Sequence, residues 1–246
     1  MKNLDIKSQT RWKYAVENGA ATDKKEKTLQ QDYDAGGNLI RIVAFKSGAV
    51  SQEVRFVFND KNQMQTDTDT DAAGNMTEQI KYEYLANGLP KSGVQSDGKG
   101  NLKATIIYTY SPDKIVIEKK SVDGGILEKT IYSYQKSSDA ADYSGAQQFN
   151  EKNALQISVV QKFNANNQTT EKHVGSADDG KSYVWLNTDF SRHNRWSRIT
   201  KQMKTGAIEW FDNYSFDKYA NPTEIKRYDK ENKLIGYTKM SFESFQ

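Results

Sequence analysis

Cysteine is absent, which excludes disulfides, thiolate nucleophiles and cysteine-bound metals. It leaves the redox compartment open. Proline is scarce: Pro90, Pro112 and Pro222 are the three in 246 residues, so Pro-rich linkers are excluded. Histidine occurs twice, at His173 and His193, in no metal-ligand spacing, and each reads as a surface residue. No run of about 18 apolar residues exists to cross a bilayer as a helix. The first residues, Met1 to Asp5, lack the apolar core of a signal peptide. Charge of one sign is lacking as well. Thirty-five basic and 32 acidic residues leave a net +3, and their mixing gives no general pull toward nucleic acid or an anionic membrane. There is no G-x-S-x-G elbow, phosphate-binding loop or dinucleotide fingerprint. A glycosidase built on two distant carboxylates stays open as the alternative, because sequence spacing does not reveal such a pair.

Aromatics are abundant for so polar a chain, at 11% against 36% hydrophobic residues in total. Rings with a polar tip suit half-wet sheet faces. A unit recurs along the chain: Tyr33-Asp34-Ala35-Gly36-Gly37-Asn38-Leu39 in its fullest form, then worn copies at Phe58–Met64, Asp71–Met76, Asp97–Leu102 and Tyr228–Leu234. Each couples a short turn of residues that tolerate φ > 0 to a β-prone run, which predicts a hairpin. Turns fall about every 12–15 residues, so a hairpin repeats at about 25.

Period-2 alternation marks the faces. Val54, Phe56 and Phe58 oppose Glu53, Arg55 and Val57, and Ile80, Tyr82 and Tyr84 oppose Gln79, Lys81 and Glu83. The expectation is an all-β, antiparallel meander of hairpins, about 14–16 strands, forming one extended, curled sheet over residues 1–246. Thr10–Ala15 reads as the first strand, closed by Asn18-Gly19. The charged run Asp23–Lys27 reads as an exposed edge or turn. Residues 137–153, rich in Ser, Ala, Asp, Gln and Asn, read as an irregular loop rather than a short helix. Asp178-Asp179 read as opening a turn at Gly180.

The motif Tyr-Asp-x-x-Gly-Asn-Leu at Tyr33–Leu39, with its degenerate copies to Leu234, resembles the YD repeat of the RHS (rearrangement hot spot) family. That resemblance implies antiparallel hairpins stacked into a continuous strip. It also implies surface or secreted localisation, and roles in carbohydrate binding or in encasing toxins. An extracytoplasmic setting (periplasmic, outer surface or secreted) is therefore expected, with a leader absent from this sequence.

Two constellations stand out. Asp67, Asp69, Asp71, Asn75 and Glu78 fall at positions 1, 3, 5, 9 and 12 of an EF-hand-like pattern, which makes calcium the candidate cofactor. Against it, Ala72 stands where such a loop needs Gly, and the flanks read as strands. A polar strand and its turn are the plainer account. The second lies in an aromatic-dense stretch, Trp185–Phe216. There Arg192, Arg195 and Arg198 flank Trp196, with Trp185 and Trp210 as further rings for stacking on a sugar. The plainer account is arginines covering tryptophan rings inside the fold. The expected function is a non-enzymatic β-repeat protein presenting its sheet to a glycan, a protein partner or another copy of itself. A carbohydrate-active enzyme or a structural spacer are the alternatives.

Overall fold

A computed structural model describes residues 6–134, 144–164, 168–176, 182–190, 195–203 and 205–245. All eighteen elements are strands: β1 (Ile6–Glu17), β2 (Ala20–Tyr33), β3 (Leu39–Lys46), β4 (Ala49–Phe58), β5 (Met64–Asp71), β6 (Met76–Tyr84), β7 (Pro90–Asp97), β8 (Leu102–Ser111) and β9 (Lys114–Ser121) come first. They are followed by β10 (Ile126–Ser133), β11 (Gly145–Asn150), β12 (Leu155–Phe163), β13 (Thr169–Ser176), β14 (Ser182–Phe190), β15 (Trp196–Met203), β16 (Ile208–Phe216), β17 (Pro222–Asp229) and β18 (Leu234–Ser244).

The repeated motif is a turn of one geometry. In the fullest copy the Asp34 N–H donates to the Asn38 carbonyl and the Gly37 N–H to the Asp34 carbonyl. The same two bonds recur at ten of the described turns, starting from Asp34, Asn59, Asp71, Leu85, Asp97, Ser121, Asn150, Met203, Asp217 and Asp229. In every one the fourth residue has positive φ, from Asn153 at 56° to Gly206 at 88°. This explains the Gly or Asn at nine of them, with Ala220 the exception. Where Asp or Asn leads, its Oδ1 accepts from the backbone N–H four residues on, and at Asn59, Asp71, Asp97, Asn150, Asp217 and Asp229 also from the one two residues on, as at Asp97 from Lys99 and Asn101, both 2.9 Å. Two other turns, Asn18-Gly19 and Ser47-Gly48, are two-residue hairpin turns with both residues left-handed.

The strands join one 18-stranded antiparallel sheet. The first strand pairs with both the second and the last: Arg11 lies opposite Leu29 of β2 and opposite Met240 of β18. The order of hydrogen-bonded strands therefore closes on itself. This corrects the extended, curled sheet expected from sequence. A meander with two free edges would leave two rows of backbone groups open, and pairing β1 with β18 satisfies both. Two further expectations are sharpened or changed. Asp23–Lys27, expected as an exposed edge or turn, is exposed strand rather than turn, within β2, with Lys25 opposite Tyr14 and Glu26 opposite Lys13. The stretch expected as a loop over 137–153 contains β11, paired to β10 and β12; residues 137–143 lie outside the described residues. Asp178-Asp179 also lie outside them.

The chain divides into two compact units, one of residues 1–105, 222–225 and 236–246, the other of residues 106–221 and 226–235. In the first, Val43 and Ala104 are each 1% exposed, with Tyr237 and Met240 also buried. In the second, Val184 and Phe211 are buried. These six are the buried apolar side chains among the described residues. The core is thin, as the low apolar content demands.

Candidate functional site

Within the second unit, strand register lines up one transverse row of side chains. Gln161 of β12 lies opposite Lys172 of β13, which lies opposite Trp185 of β14. Trp185 in turn lies opposite Lys201 of β15, and Lys201 opposite Trp210 of β16. Opposed residues share a face, so five neighbouring strands present Gln, Lys, Trp, Lys and Trp side by side over roughly 19 Å. The two indoles meet edge to face, centroids 5.4 Å apart and planes at 88°, a favoured aromatic geometry.

Two cations of this face are held in place. Arg227 of β17 stacks its guanidinium 3.8 Å from the Trp210 ring centroid. It also donates through Nε and Nη2 to both carboxylate oxygens of Asp212, at 2.8 and 2.9 Å. Asp212 is 3% exposed, and the bidentate pair, outweighing desolvation, holds the Arg227 pKa above its ordinary value. Lys201 lies 3.8 Å from the Tyr183 centroid and 2.8 Å from Glu209 Oε2. On the opposite face Arg198 covers Phe211 at 3.9 Å, and Phe211 stacks on Tyr228 at 5.2 Å.

Of the binding residues expected from sequence, the fold brings Trp185 and Trp210 together. Arg198 points away from them, because it is an odd number of residues from Lys201 and so lies on the other side of β15. Arg195 is exposed just before β15. Trp196 opens β15 opposite Phe190. Arg192 lies outside the described residues. The arginine that does meet a tryptophan, Arg227, is 31 positions from Trp196 in sequence, and no local signal marks it. Lys172 is equally invisible until register is known.

The calcium pattern is gathered only in part: Asp67, Asp69 and Glu78 share one face of the sheet, while Asp71 and Asn75 are taken up by a turn. Asp67 and Asp69 lie in β5, Glu78 in β6 directly opposite Asp69, and Ile80 opposite Asp67. Asp71 instead closes the β5–β6 turn: its Oδ1 accepts from the Ala73 and Asn75 N–H groups and its Oδ2 from the Asn75 amide. These bonds, led by that to the Asn75 N–H, hold its carboxyl below the usual range. Burial, above all, pushes Asp67 up, against the hydrogen bond it accepts from the Tyr82 hydroxyl at 2.9 Å. Burial first, then the charges of Asp67 and Glu78, push Asp69 up. A hairpin has replaced the loop an EF-hand requires, and no group of three His, Cys, Asp or Glu is set to hold a metal among the described residues.

No family model matches the chain and no curated protein matches it. Among solved structures it is similar to a porin-like protein from Bacteroides uniformis, at 10% identity and a TM-score of 0.37, covering 97% of this chain and 96% of that one. A porin-like protein from Bacteroides vulgatus gives 13% and 0.33, over 97% and 98%. The TcdB2-TccC3 structure gives 11% and 0.36, over 94% of this chain and 15% of that one.

Proposed function

We propose that the chain is a non-enzymatic, extracytoplasmic β-repeat scaffold of the RHS/YD type that binds a glycan along the Lys172–Trp185–Lys201–Trp210 row. That row is the observation in its favour. It sets ring faces and ammonium donors at strand spacing on a rigid sheet, and stacking plus charge-assisted hydrogen bonds is how proteins hold sugars with acidic or hydroxyl groups. Charges on both faces of the sheet in the first unit support water on both sides. One face carries Asp32, Arg41, Glu53 and Arg55, with Arg41 bonded to Asp32 at 3.2 Å and to Glu53 at 2.6 Å. The other carries Asp67, Asp69 and Glu78. A charge on the lipid face at the middle of a bilayer costs about 2–4 kcal/mol for Arg or Lys.

The test is a glycan array on the full chain, repeated with Trp185→Ala, with Trp210→Ala and with calcium chelated. Trp185→Ala is expected to weaken the bound glycans at least tenfold while leaving their chain length unchanged on incubation, with no effect of chelation. Equal binding by both variants overturns the site, and shortening of the bound glycan overturns the non-enzymatic assignment.

A further inference from the structure

Lys172 differs from the other cations around the tryptophan row. The Lys201 ammonium is engaged by Glu209 at 2.8 Å and by the Tyr183 ring, and its side chain is 18% exposed. The Arg227 guanidinium is engaged by Asp212 and Trp210. Both therefore have a counter-ion within the fold. Lys172 is half-buried, and among the described residues its side chain makes no hydrogen bond, ion pair or ring contact.

Its neighbours on the sheet leave that charge uncompensated. Gln161 and Trp185 lie directly across, while Val159, Tyr183 and Asn187 lie diagonally, and none of these is acidic. Glu171, next in sequence, points to the opposite face, where Lys162 and His173 hold it at 2.7 and 2.8 Å. Toward β16, the first carboxylate on this face among the described side chains is Asp212. It is three strands away, roughly 14 Å, and already bonded to Arg227. With Lys201–Glu209 and Arg227–Asp212 each neutral, Lys172 carries the one net charge of the row. A half-buried ammonium among apolar groups is stabilised by an anion brought to it. Trp185, one strand or about 4.8 Å away, sets a ring beside that anion's position. An acidic sugar carries both complements, a ring to stack and one negative group upon it. We infer that the glycan held here is acidic, its ring on Trp185 and its carboxylate or sulfate on Lys172. Lys172 is then the residue that selects charged sugars over neutral ones, an assignment that rests on the binding row proposed above.

Calorimetric titration of the full chain with matched probes tests this. The pairs are a galacturonic acid hexamer against its methyl ester, and a sulfated galactan hexamer against its desulfated form. At about 0.15 M salt, charges more than about 8 Å apart are screened, which suppresses generic attraction. Wild type is expected to favour an acidic probe over its neutral match at least about tenfold, the low end for a charge-assisted hydrogen bond. The pair that shows the preference tells carboxylate from sulfate. Lys172→Met should abolish the preference, and Lys172→Arg, which keeps the charge, should retain it. Lys99→Met, at an exposed turn of the other unit, should leave the preference as in wild type. Melting curves show that each variant folds. Equal binding of acidic and neutral probes by wild type, or a preference that survives Lys172→Met, overturns the inference and leaves the row standing. A wild type that binds none of the four probes also overturns it, and the row itself then stands or falls on the array above.

Discussion

Removing Arg227 should harm the protein more than removing both Arg227 and its partner. Asp212 has a side chain 5% exposed, and Arg227 supplies both its bonds at 2.8 and 2.9 Å. Breaking a buried pair by deleting one partner typically costs 3–5 kcal/mol, because the charge left behind has lost both water and counter-ion. Arg227 is itself 44% exposed, so water can follow into the space it leaves, which favours the lower end, about 3 kcal/mol. Loss of its stacking on Trp210 adds about 0.5–1 kcal/mol. Arg227→Met should therefore destabilise by about 3–4 kcal/mol. Asp212→Asn keeps the shape and leaves Arg227 able to reach water, so it should cost about 1–2 kcal/mol. Arg227→Met combined with Asp212→Leu removes both charges and should recover most of the loss of the single variant. Equilibrium urea denaturation followed by tryptophan fluorescence measures all three, because Trp210 reports on this corner directly. The reasoning fails if Arg227→Met costs under about 1 kcal/mol, or if the double variant is no more stable than Arg227→Met alone.

Asp69→Asn should stabilise the chain. A carboxyl raised in the folded state binds its proton more tightly there than in the unfolded chain. Stability therefore falls as pH rises from the unfolded to the folded value, and the penalty is complete above the latter. The substitution should gain about 0.5 kcal/mol at pH 7 and nothing at pH 3, as thermal melts at the two pH values would show; a gain at both, or at neither, contradicts the assignment. Ala220 occupies the left-handed position, φ 68°, that Gly or Asn takes at the nine sister turns. Ala220→Gly is expected to stabilise by about 1 kcal/mol, raising Tm by roughly 2–4 °C. An unchanged or lowered Tm would mean that the strain is absent.

What could be read from sequence was local. The turn at Tyr33–Leu39 and its copies announced themselves because Asp, Asn and Gly do their work within five residues. Alternation placed Phe56 and Ile80 on the same face, and register confirms it through Asp67, which lies opposite both. What escaped was set by partners far along the chain. Asp23–Lys27 carries too much charge to look like a strand, yet Lys13 and Tyr14 pair with it. Gly145–Asn150 is short and polar, and is a strand because β10 and β12 flank it. Arg198 looked like a companion of the tryptophans by proximity in sequence, whereas one residue of offset sends it to Phe211 on the other side. Closure itself depends on Ile6–Tyr14 meeting Tyr237–Ser244, a pairing that no local pattern encodes.

That closure restricts how such a chain can change length. Neighbours in the ring alternate up and down, so the first and last strands meet antiparallel only when the number of strands is even, and here it is 18. Gain or loss of one strand would leave β1 and its neighbour running the same way, without the ladder seen between Ile6 and Ser244. Heritable growth must proceed in quanta of two strands, and the recurrent unit of about 25 residues is one such quantum. Duplicating a hairpin keeps the circuit intact, whereas duplicating half of one opens it.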